Sequence, residues 1–120
     1  MDIISPFNSI LEALLSGNNE LIQPAQDEYI EMVNTVPEQL AIAHFQTISS
    51  ANNEQIRDLT LVLLGNYFTL LKQLDKSLSP EASQEIKSAL LALFQNEDFT
   101  QYHFGIISNI IFKSKQYFER

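Results

Sequence analysis

Residues 52–74 read NNEQIRDLTLVLLGNYFTLLKQL, and their periodicity decides the fold class. Ile56, Leu59, Leu63, Tyr67, Leu70 and Leu74 recur at spacings of three and four, which places them on one stripe of a helix. Thr60, Leu64, Phe68 and Leu71 widen that stripe beyond a single face. A helix this apolar must be covered on two sides. Asn52, with Gln55 three residues on, has the spacing of a capping box and marks the start.

Outward from this helix, the same signals recur. Toward the N-terminus, Thr35-Val36-Pro37-Glu38 has capping-box spacing and opens a helix to about residue 49, with Leu40, Ala41, Ala43, His44 or Phe45, and Ile48 inward. Before it, Asn19 is the expected cap of a helix over 20–36 that buries Leu21, Ala25, Tyr29, Met32 and Val36. Pro24 lies beyond that helix's first turn, so a late start or a kink is expected there. Residues 6–15 form a short helix with Phe7, Ile10, Leu11 and Leu14 on one side. Toward the C-terminus, Leu78-Ser79-Pro80-Glu81 supplies a cap, a proline at the first position and an acid, starting a helix to about residue 95. Its inward residues are Ile86, Ala89, Leu90, Leu93 and Phe94. Asn96-Glu97-Asp98 breaks it and caps a sixth helix over 99–119. No run alternates as a strand does, so the class is all-α.

Paired in order, the helices give three antiparallel hairpins over about 6–36, 37–75 and 79–119, averaging 40 residues within one domain of 1–120. That spacing matches HEAT-type repeats, for which about three units are needed for stability, and the expected fold is a right-handed α-solenoid, with a plain helical bundle as the alternative on pattern alone.

Composition bounds the function. The chain has 120 residues, 45% hydrophobic, with three Gly, four Pro and no Cys, which excludes a disulfide framework, a thiolate metal site and a cysteine nucleophile. Its first residues, MDIISPFNS, lack the basic-then-apolar form of a signal peptide, and the longest apolar run, 89–94, is too short to span a bilayer. A soluble intracellular protein is expected. Of the net charge of −8, all falls in residues 1–60, where nine acids face Arg57 alone; residues 61–120 balance six acids with six bases. Such a field repels nucleic acid and anionic membrane and attracts basic protein surface.

Several segments, in order, resemble the opening of importin-β family (karyopherin) proteins. Leu14-Leu15-Ser16-Gly17-Asn18-Asn19-Glu20 followed by Ala25 and Asp27-Glu28-Tyr29 is similar to that family's L-L-S-x-D/N-N start and its A-E-x-x-F/Y helix. Pro37-Glu38-Gln39-Leu40 resembles the start of its second repeat. Ile56-Arg57-Asp58-Leu59 through Leu63-Leu64-Gly65-Asn66 resembles its second B helix, and Ile86-Lys87-Ser88-Ala89-Leu90-Leu91 its third repeat. Gly65 stands where the family has a basic residue, and this chain has no Trp where the third repeat runs into a W-P segment. Family members are several times longer, so the chain reads as a fragment or a short relative.

The resemblance implies the N-terminal HEAT repeats of a nuclear transport receptor, working in cytoplasm and nucleus. It implies binding of a Ran-type GTPase in its GTP form through Asp27 and Glu31 on the second helix and Gly65, Asn66 and Thr69 on the fourth. Cargo and nucleoporin contacts would belong to a longer receptor. The alternative is a general HEAT-like scaffold that binds helical partners.

Two glycines fall inside helices at about 0.8–1 kcal/mol each relative to Ala. Close helix packing is the expected reason for Gly105; for Gly65, packing and a partner backbone are both open. The sixth helix carries Phe99, Tyr102, Phe104, Phe112, Tyr117 and Phe118, aromatic nearly all round, which predicts an exposed apolar face and self-association. An enzyme is not expected: His44 and His103 stand far apart without an H-E-x-x-H spacing, and Asp27-Glu28 with Glu31 lack the loop of an EF-hand. No cofactor motif is present and no metal site is expected.

Overall fold

In the computed structural model, which describes residues 2–95, 99 and 103–119, three helices, the second, fourth and fifth, start at a residue whose side chain accepts from a free N–H. Six helices are described: α1 Ile4–Leu15, α2 Asn19–Thr35, α3 Pro37–Ser50, α4 Glu54–Gln73, α5 Pro80–Phe94 and α6 Phe104–Phe118. There is no strand among the described residues. Asn18, not Asn19, caps α2 by accepting from the Glu20 N–H at 2.9 Å. Asn53, not Asn52, caps α4 by accepting from the Gln55 N–H at 2.7 Å. Ser79 caps α5 as expected, its Oγ accepting from the Ala82 N–H at 3.1 Å. The helix α2 runs through Pro24 without interruption.

The Thr35–Glu38 capping box does not form. Thr35 Oγ1 donates back to the Glu31 carbonyl, and Val36 heads α3 with no side-chain cap. Glu38 reaches across to the next pair instead, accepting from Ser79 N–H at 3.0 Å and from Ser79 Oγ at 3.2 Å. The carboxylate therefore ties the start of α3 to the start of α5. The helix α4 ends with Asp75 in the left-handed region (φ 52°), where Lys76 N–H closes on the Leu71 carbonyl at 2.9 Å.

Stacking follows the order of the chain. The helix α4 packs on α2, α3 and α6, while α3 packs on α1 and α5. Even-numbered helices thus form one row and odd-numbered helices the other, the arrangement of stacked helix pairs. α4 and α6 run parallel, as three pairings show: Asp58 with His103, Gly65 with Asn109 and Ile110, and Phe68 with Tyr117 and Phe118. α3 and α5 do likewise, from Glu38 with Ser79 at one end to Ile48 and Ser49 beside Ala92 and Leu93 at the other. Cross-repeat hydrogen bonds join residues 41, 45 and 41 apart, for Glu38–Ser79, Asp58–His103 and Lys76–Tyr117. That is the HEAT period of about 40–47 residues expressed as contacts.

Gly65 is explained by this stacking. It is buried, and a Cβ there would lie 3.0 Å from Asn109 Nδ2 and 3.8 Å from Ile110 Cγ1. Gly105 is not: it is exposed with nothing within 4 Å of a built Cβ, so close packing does not account for it. The helix α6 also begins later than its sequence suggests. Phe99 precedes it and packs on His103 at 5.3 Å and under Arg57 at 5.6 Å, while residues 96–98, the expected cap, and Tyr102 lie outside the described residues.

The core centres on a polar residue. His44 is fully buried on α3, with its ring 4.9 Å from Phe7, 5.7 Å from Tyr29 and 5.4 Å from Tyr67. Its Nδ1 lies 2.7 Å from the Leu40 carbonyl and its Nε2 2.8 Å from Tyr29 Oη. Because a carbonyl only accepts, Nδ1 carries the proton, and Nε2 of the neutral ring accepts from Tyr29. The Tyr29 hydroxyl is also 3.0 Å from the Leu63 carbonyl, so one proton is shared between an acceptor on α3 and an acceptor on α4. Burial lowers the His44 pKa to about 4, opposed only by the Leu40 hydrogen bond, and raises that of Tyr29 well above the usual phenol range.

Candidate partner-binding surface

The row of even-numbered helices presents an open cleft of about 550 Å³ between α2 and α4. Its walls are Ile22, Gln26, Tyr29 and Ile30 from α2, and Leu59, Val62, Leu63, Asn66, Thr69 and Leu70 from α4, with Leu14 at one side. Most of this lining is aliphatic. Ile30 and Val62 remain 42% and 44% exposed, so the cleft offers apolar surface to an incoming molecule.

Two of the five expected contact residues, Asn66 and Thr69, line this cleft. Asn66 is exposed and Thr69 half-buried on its α4 wall, where Thr69 Oγ1 donates to the Gly65 carbonyl at 3.4 Å. Asp27 and Glu31 are exposed on α2, each one residue past a wall residue, Gln26 and Ile30. At about 100° per residue, that turns both acids away from the cleft wall toward solvent, and neither lines the cleft. Gln23 Nε2 donates to Asp27 Oδ1 at 3.1 Å, which holds that carboxylate along the helix.

Gly65 does neither. It faces α6 rather than solvent, so it is a helix-packing residue and offers no backbone to a partner.

Periodicity alone did not single out Ile30 and Val62. Each is out of phase with the buried stripe of its own helix, next to Tyr29 and Leu61, and that phase error was the available signal.

A second exposed apolar region lies at the far end. Leu91 on α5 is 60% exposed, and Phe104 and Phe112 on α6 are 60% and 58% exposed. Phe118 is not part of it. Its ring packs on Phe68 at 5.9 Å and Tyr117 at 5.1 Å, beneath Lys87 Nζ at 4.9 Å.

The two histidines serve structure. His44 has both ring nitrogens engaged in the core, and His103 Nε2 meets Asp58 Oδ1 at 2.9 Å, joining the starts of α6 and α4. Among the described residues no three His, Cys, Asp or Glu side chains group to hold a metal ion, and no described helix is long and apolar enough to cross a membrane.

Stacked helix pairs with an apolar cleft between α2 and α4 define a HEAT-like helical protein. The chain is similar to a probable importin-5 homolog of Dictyostelium discoideum, 30% identical over 112 residues that span 89% of this chain. Those residues are 10% of that protein's length, so the likeness is importin-like over one stretch. No family model matches the chain. No solved structure matches it either.

Proposed function

We propose that the chain is an importin-β-like helical-repeat segment that binds a Ran-type GTPase in its GTP form and serves protein transport between cytoplasm and nucleus. The observation that carries this reading is the 30% identity to an importin-5 homolog across 89% of the chain. The apolar cleft between α2 and α4 supports it, as do Asp27 and Glu31, exposed on α2, as charges for a basic protein surface. The proposed role is binding, not catalysis. Cargo and nucleoporins would be partners only of a longer receptor containing this segment.

The test is calorimetric titration of the chain against Ran loaded with GTP and, separately, with GDP. Tighter binding of the GTP form is expected, with Asp27→Lys and Glu31→Lys each weakening it about 3- to 10-fold while the helical circular-dichroism signal is unchanged. Equal affinity of both single variants and the parent would remove these acids from the site. Failure to bind either nucleotide form would remove the GTPase itself.

A scaffold role is the second reading, favoured by the exposure of Leu91 and Phe112 at the α5–α6 end. There, Phe112→Glu is expected to shift any concentration-dependent oligomer toward monomer in sedimentation velocity. An unchanged size distribution would count against this face as a contact surface.

A further inference from the structure

On the opposite row, α3 and α5 leave a groove of about 360 Å³ that the GTPase reading does not use. Its floor is apolar: Ile86 is buried, Phe45 and Ala89 are half-buried, and Ile42 is 47% exposed. Its edges are acidic, formed by Glu38, Glu81 and Glu85. Among the described residues, no Lys or Arg lines it. Glu38 is fixed there as an acceptor for Ser79, which holds one negative charge at the groove's end. Glu81 and Glu85 are exposed and stand one turn apart on α5, a like-charge spacing that weakens an isolated helix. Lys87, the nearest base in sequence, is turned to the other side of α5, over the Phe118 ring.

We propose that this α3–α5 groove docks a short basic amphipathic segment of a partner protein. One aliphatic side chain of that segment seats on Ile42, Phe45, Ile86 and Ala89, and the flanking Lys or Arg side chains meet Glu81 and Glu85. Charge complementarity selects this occupant. An acidic or neutral helix would leave the carboxylates facing like charge or apolar surface, and a purely polar basic peptide would leave the floor wet. A second copy of this chain, at net charge −8, brings the wrong sign.

The probe is a fluorescein-labelled peptide, KKLRKLAKR, followed by fluorescence polarisation with the whole chain at physiological ionic strength. Its control, KKSRKSAKR, keeps every charge and loses the two leucines. The double variant Glu81→Gln/Glu85→Gln is expected to bind the leucine peptide about ten-fold more weakly. Asp27→Asn/Glu31→Gln changes the net charge equally on the other row and is expected to change binding less than about two-fold. Ile42→Ser, at an exposed position, is expected to weaken the leucine peptide and leave the serine peptide unaffected. Equal losses in both double variants would reduce the effect to general attraction, and equal binding of the two peptides would remove the apolar seat. Absence of binding to the parent chain would overturn the proposal outright. Because Asp27 and Glu31 belong to the GTPase reading, loss of that reading leaves this experiment intact.

Discussion

Phe68→Ala is expected to destabilise the chain by about 3–5 kcal/mol, the range for emptying a fully buried aromatic site. Phe68 is 0% exposed and touches three rings on two helices: Tyr67 at 5.3 Å on its own helix, and Tyr117 at 6.4 Å and Phe118 at 5.9 Å on α6. Its removal strips the α4–α6 seam of its central ring, and the opening cannot collapse without shifting Asn109 and Ile110 of α6 against Gly65 of α4. Against a total stability of about 5–15 kcal/mol, such a loss lowers the melting temperature by about 10–20 °C in a chain of this size. Phe112→Ala provides the contrast: at 58% exposure it is expected to cost under about 0.5 kcal/mol. Thermal unfolding followed at 222 nm measures both. A shift of under about 3 °C for Phe68→Ala would mean that α6 is held by something other than this ring cluster.

Acidification is the second large effect. In the unfolded chain His44 titrates near its ordinary value of 6.5, whereas in the fold burial lowers it to about 4. Between those two values the unfolded state binds the extra proton and the native state does not, so stability falls as pH falls through that window and recovers as pH rises. The loss amounts to roughly 3 kcal/mol once pH reaches the folded value. Urea unfolding at a series of pH values from 7.5 down to 4 measures it, with His44→Leu as the comparison. That variant keeps the Tyr29 hydroxyl on the Leu63 carbonyl and removes the titrating ring. It is expected to be less stable than the parent at neutral pH and to lose less on acidification, by roughly the same 3 kcal/mol. Parallel pH profiles for the two proteins would show that His44 is not held neutral.

Much of this architecture is legible in the chain because helix signals are local. Pro37 and Ser79-Pro80 fix the starts of α3 and α5 to the residue. The two asparagine pairs fix α2 and α4 only to within one position, since neighbouring Asn side chains offer the same chemistry and the turn geometry chooses between them. Glu38 misleads for a different reason. It has the spacing of a local capping box, yet its acceptor oxygens are taken by Ser79, a residue 41 positions away that no short window contains. Leu21 and Leu74 fit their helical stripes but are 50% and 36% exposed, because periodicity gives a face and not the depth of its cover. At the candidate surface, Asn66 and Thr69 line one cleft, Asp27 and Glu31 point from α2 into solvent, and Gly65 turns toward α6. Small size alone does not say which neighbour approaches a glycine.

The parallel registry of α4 and α6 has a consequence for synthesis. Phe68 is made before its covering residues Tyr117 and Phe118, with 50 positions of chain between Phe68 and Phe118. At about 5–20 residues per second, that is a wait of roughly 3–10 s on the ribosome. Until α6 has been made, the C-terminal aromatic face of α4 lacks its cover. During translation, this face is where a chaperone finds its grip, and where two nascent chains on one messenger would first stick together.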